Sequence, residues 1–155
     1  MGNILYTGFR GIRNASGLLA QQMAQDCCLL TNSFSGLKRD IDAIGQDYDH
    51  VVMFGVDKEL TDTIRIERTA EKDGVRYFSS LDLESLAASF RTAGLAAVVS
   101  DTPTSWLCNE AYWHMLRKFG GRVAFIHIPT VRNVDETFVK RIRQALSRET
   151  QAPAT

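Results

Sequence analysis

The chain has 155 residues, 45% of them hydrophobic, which suits one domain with a sizeable core. Its 18 basic and 18 acidic residues cancel, so no broad nucleic-acid or anionic-membrane footprint is expected. No apolar run approaches the roughly 18 residues of a membrane span, the first residues lack the form of a secretion signal, and an odd number of cysteines makes no disulfide framework; the expectation is a cytoplasmic chain.

In chain order, residues 4–8 read as a first strand that enters a loop over 9–14 and then a helix from 15 to about 26. Residues 27–31 are apolar enough for a second strand, and 34–44 for a short helix ending at Gly45. Residues 50–55 form a short buried strand. Residues 63–70 alternate, with Ile64 and Ile66 against Arg65 and Glu67, which predicts a half-exposed strand. Asp73-Gly74 is a hairpin signal leading to a strand over 75–78. A helix over 82–93, a strand over 95–100, a helix over 105–119, a strand over 122–128 and a helix over 135–148 complete the pattern. The alternation predicts a three-layer α/β sandwich. Its open twisted sheet is mostly parallel and partly mixed, with helices on both faces. One domain over 1–150 is expected, with 151–155 as a frayed tail.

The candidate chemistry lies in three segments. Cys108 opens a predicted helix, where the positive end of the helix dipole favours a thiolate. His127 closes a predicted strand in Phe-Ile-His-Ile-Pro, and an imidazole within reach of the thiol supplies the base. Glu67, on the alternating strand, is placed to orient that imidazole as the acid member of a triad. If the strands before Cys108 and ending at His127 are parallel, both residues face the same rim of the sheet. Asp101 or Thr102 is expected to cap the helix, with Pro103 in its first turn. His50 starts its strand at the opposite rim, and His114 lies roughly 240° round the helix from Cys108. Cys27 and Cys28 read as packing residues, and Lys140, Arg141 and Arg143 as a solvated helix face.

Gly8, Gly11 and Gly17 give the first turn the look of a dinucleotide loop, but Arg13 stands where G-x-G-x-x-G requires a glycine. Neither C-x-x-C nor H-E-x-x-H occurs. No cofactor and no metal are expected.

Those segments resemble the pyroglutamyl peptidase I family of cysteine peptidases. "VVSDTPTSWLCN" (98–109) is similar to the family's nucleophile motif, "IRIERTAEK" (64–72) to its glutamate motif and "FIHIP" (125–129) to its histidine motif. The order Glu, Cys, His agrees, and "TGF" (7–9) with Asn14 and Ser16 resembles the family's N-terminal turn. The resemblance implies an α/β cysteine peptidase that removes pyroglutamate from a small peptide with a blocked N-terminus. It implies Cys108, His127 and Glu67 as the triad, Phe9 against the lactam ring, Asn14 as loop support and Arg76 near the oxyanion. Relatives of this kind assemble as homodimers or homotetramers.

The sequence departs from the pattern at several positions. Pro103-Thr104 replaces Ala-Gly, Arg65 replaces a small hydroxyl residue, Lys72 replaces Asn, and the second ring-binding aromatic has no counterpart. Two further readings therefore stay open: a related thiol hydrolase for another small acyl or amide substrate, and a non-catalytic relative acting as a binding module.

Overall fold

Strands buried on both faces are dominated by apolar residues, and two segments of this chain are buried along their whole length: Ile4–Phe9 and Val123–Ile128, with Thr7 and His127 as their polar members. The computed structural model describes residues 2–23 and 25–151. In chain order its elements are β1 (Ile4–Phe9), α1 (Ala15–Gln21), β2 (Asp26–Leu30), α2 (Phe34–Asp42), β3 (His50–Val56), β4 (Thr63–Glu67), β5 (Thr69–Lys72), β6 (Val75–Phe78), α3 (Leu83–Thr92), β7 (Ala96–Ser100), α4 (Trp106–Lys118), β8 (Val123–Ile128), a 3-10 turn (Val131–Asn133) and α5 (Glu136–Gln151). Asn14, Ser33 and Asp82 cap α1, α2 and α3, each accepting a first-turn backbone N–H.

Six strands make one sheet in the order β2-β1-β3-β8-β4-β7. The first four run parallel. β4 is antiparallel to β8 and parallel to β7. One face is covered by α1, α3 and α5 through Leu19, Leu86, Phe90 and Ile142, packed on Ile64, Ile66 and Ile126. The other is covered by α2 and α4 through Leu37, Ile41, Tyr112 and Leu116, packed on Met53 and Phe125. This is the expected three-layer sandwich with a mostly parallel mixed sheet.

Several details differ from expectation. The first helix stops at Gln21 instead of running to 26, because Asp26 is already paired with Leu5 at the start of β2. β2 is an edge strand, so Cys27 is exposed, while Cys28 is half-buried and packs against the apolar cluster under α2 and α4; of the two expected packing residues only Cys28 is one. The predicted strand over 63–70 breaks at Arg68. Its second half leaves the main sheet to pair with β6 across Asp73-Gly74, both at positive φ as a tight hairpin requires. Residues 57–62 are too few for a crossover helix, so β4 returns antiparallel and β7 follows it. The carboxyl end of β7 therefore points away from that of β8, and the shared-rim argument from parallel strands does not hold. Gln151 still belongs to α5, and the rest of the predicted tail, 152–155, lies outside the described residues.

Candidate active site

Side chains two residues apart on a strand share a face. On β8 this puts Phe125 and His127 together, with ring centroids 4.9 Å apart. On β4 it puts Arg65 and Glu67 together, directly across from His127 and Phe125 in the ladder. All four lie on the α4 side of the sheet, because Ile64, Ile66, Ile126 and Ile128 fill the opposite face. The polar stripe that predicts a half-exposed strand is thus covered: the Glu67 side chain is 1% exposed and that of His127 3%. His127 Nδ1 lies 3.4 Å from Glu67 Oε1. Tyr112 of α4 donates a 2.7 Å hydrogen bond to the Glu67 backbone carbonyl, tying the helix to the strand.

Cys108 reaches the same place from above. Gly55 of β3 pairs with His127, and a Cβ added to Gly55 would lie 3.0 Å from Cys108 Sγ and 2.6 Å from the Phe125 ring. The thiol therefore occupies space that any other residue at 55 would claim. Neighbouring strands are roughly 5 Å apart, so Cys108 lies over the strand next to the one that carries His127. Residues 101–105 bring the chain back to this level, although β7 runs the other way. No hydrogen bond joins Cys108 to His127 among the described residues.

Cys108 lies in the first turn of α4, whose free backbone N–H groups face outward from the helix start. Ser105 is the N-cap and makes no side-chain bond to the helix, so neither Asp101 nor Thr102 caps it, and Pro103 precedes it. Asp101 instead pairs with Arg68. Trp106, the first helical residue, has φ of 59°, the left-handed region that a bulky side chain adopts only under strain. Burial pushes the Cys108 thiol up to about 12, the Glu67 and Asp57 carboxylates push the same way, and the Arg65 guanidinium opposes them. At rest the sulfur is a thiol.

Two charged residues in this site were not anticipated. Arg65 Nε donates to Glu67 Oε1 at 2.8 Å, and its Nη2 lies 2.8 Å from Asp57 Oδ2 and 3.3 Å from His127 Nδ1. The strand alternation carried the signal: a residue two before Glu67 must share its face. Asp57, just past β3, also accepts the Glu59 backbone N–H, and its carboxyl is held below the ordinary range by that bond and by Arg65, against the opposing effect of burial.

The remaining predicted residues fall as follows. Phe9 is buried at the end of β1, in the same apolar cluster that Cys108 packs against. Asn14 caps α1 by accepting from Ser16, while Ser16 Oγ accepts the Phe9 N–H, so Asn14 braces the loop behind Phe9. Arg76 is exposed on β6 and ion-paired with Glu71 directly opposite, in contact with none of the three central residues. His50 is exposed at the start of β3, and His114 pairs with Glu110. Among the described residues no group of three or more His, Cys, Asp or Glu is arranged to hold a metal ion, and no helix is long and apolar enough to cross a membrane.

The fold has solved counterparts. The pyrrolidone carboxyl peptidase of Thermococcus litoralis superposes with a TM-score of 0.78 at 19% identity, over 95% of this chain and 92% of that one. Pyroglutamyl peptidase I of Bacillus amyloliquefaciens gives 0.79 at 17% identity, over 94% and 93%. In sequence, the pyrrolidone-carboxylate peptidase of Chromobacterium violaceum is 36% identical over 53 residues, which is 34% of this chain and 25% of the relative. That of Cupriavidus pinatubonensis is 30% identical over 95 residues, or 50% and 44%. The matched segments thus span less than half the length of these curated relatives. The family model for pyroglutamyl peptidase matches residues 54–151, from the strand that carries Gly55 through Glu67, Cys108 and His127 to the last helix. With that match covering well over half its length, and the fold shared throughout, the chain belongs to the pyroglutamyl peptidase family.

Proposed function

We propose that the protein is a cysteine peptidase that removes an N-terminal pyroglutamyl residue from a peptide, with Cys108 as nucleophile, His127 as general base and acid, and Glu67 as the orienting carboxylate. The observation that carries this reading is the buried His127–Glu67 pair with Cys108 packed over the adjacent Gly55. The thiol gives its proton to His127 Nε2 as Sγ attacks the pyroglutamyl carbonyl. Backbone N–H groups at the start of α4 are available to the developing oxyanion. The tetrahedral adduct collapses as His127 protonates the departing amine, leaving a thioester. Water, deprotonated by His127, then releases pyroglutamate and restores the thiol. Phe9 is assigned to the lactam ring and Asn14 to its loop.

A second reading, a relative that binds without catalysing, draws support from the absent Cys108–His127 hydrogen bond and from a thiol pushed up to about 12. Release of a fluorophore from a pyroglutamyl amide, under reducing conditions, separates the two. Turnover from the native protein that falls by at least about 10³-fold in Cys108→Ala establishes the peptidase. No turnover from well-folded native protein sinks it. Assembly as a homodimer or homotetramer and a cytoplasmic location belong to the same proposal, and light scattering reads the first.

A further inference from the structure

Arg65 stands between the carboxylate and the imidazole that the peptidase reading pairs. A guanidinium only donates hydrogen bonds, and a neutral imidazole has one donor and one acceptor nitrogen. Arg65 Nη2 lies 3.3 Å from His127 Nδ1; a bond donated along that line requires Nδ1 to offer its lone pair and the ring proton to sit on Nε2. Glu67 Oε1, at 3.4 Å from Nδ1, already accepts from Arg65 Nε at 2.8 Å. Asp57 anchors the other end of the fork at 2.8 Å. The groups facing His127 are then Asp57 past β3, Arg65 and Glu67 from β4, Phe125 from its own strand and Cys108 from α4.

We propose that Arg65 is a positioning residue that locks His127 in the tautomer carrying its proton on Nε2, so that the ring cannot accept the Cys108 proton and the site rests switched off. This rests on the reading of Cys108 and His127 as nucleophile and base. Catalysis requires the guanidinium to leave Nδ1, after which the ring takes up a proton from water at Nδ1 and returns its Nε2 proton to water, so that Nδ1–H donates to Glu67 and Nε2 becomes the acceptor. The cluster of Asp57, Arg65 and Glu67 carries one net negative charge. Removing Arg65 alone would add to it, whereas Arg65→Met with Asp57→Asn removes the fork at constant charge.

The test is the ring tautomer, read from long-range proton–nitrogen correlations in histidine-labelled protein well above the ordinary imidazole pKa of about 6.5. Wild-type protein is expected to carry the proton on Nε2, and Arg65→Met/Asp57→Asn to carry it on Nδ1. Alkylation of Cys108 by iodoacetamide at neutral pH should rise about 10²-fold in that variant, the lower range of a general-base contribution. A wild-type ring protonated on Nδ1, or the same tautomer in both proteins, overturns the proposal whatever the turnover. A changed tautomer with faster labelling, but no turnover of the pyroglutamyl amide in either protein, upholds the lock and counts against the substrate instead.

Discussion

At Gly55 a single methyl group decides whether the site can close. The Phe125 ring and the Cys108 thiol both occupy the volume a side chain would need there. Gly55→Ala is expected to lower stability by about 1–3 kcal/mol, read from the urea midpoint, and to change the labelling rate of Cys108, since the sulfur must move. The sequence singled out Cys108, His127 and Glu67 because each sits in a distinctive local context, and the structure puts His127 Nδ1 3.4 Å from Glu67 Oε1 with Cys108 over Gly55. Arg65, although the alternation puts it on the face of Glu67, and Asp57 were not singled out as site residues. Ile64-Arg65-Ile66-Glu67 carries the signature of a strand with one wet face, and nothing within those four residues announces that α4 will cover the polar side. Arg76 drew attention as an arginine downstream of Glu67, yet the hairpin register gives it to Glu71. The arginine that reaches the site is on the same strand as the glutamate.

At the scale of elements, the head of α4 is under strain. Trp106 is 78% exposed, so its indole contributes little burial to offset its left-handed backbone. Trp106→Gly is expected to raise stability by about 1 kcal/mol, read in the same denaturant titration. Unchanged stability would mean that the loop accommodates the conformation without cost. Nearly every helix and strand was legible, because the apolar periods of the sequence are strong. The break at Arg68 was not. There the strand has two partners in turn, with Glu67 beside Ser100 in the main sheet and Thr69 beside Phe78 in the hairpin. The reversed direction of β7 also escaped local reading. It follows from the shortness of the link between β3 and β4, which fixes direction only once β8 is known to lie between them.

For the whole molecule, the buried thiol links stability to pH. The Cys108 proton is held up to about 12 in the fold against an ordinary value of 9.0. The unfolded chain releases that proton first. The stability it represents is therefore fully present below about 9 and is lost as pH rises through about 12. Cys108→Ser should flatten the fall of the melting temperature across that window, whereas parallel curves for the two proteins would place the alkaline loss elsewhere. β8 is the last strand among the described residues yet lies in the middle of the sheet, between β3 and β4. Until Val123–Ile128 has been synthesised, the facing edges of β3 and β4 have no partner, and a nascent chain carries two open, sticky margins. Such late, long-range strand insertion makes for slow folding. It also means that His127 arrives on the very strand that seals the sheet, so an unfinished chain has neither a closed core nor a base for its thiol.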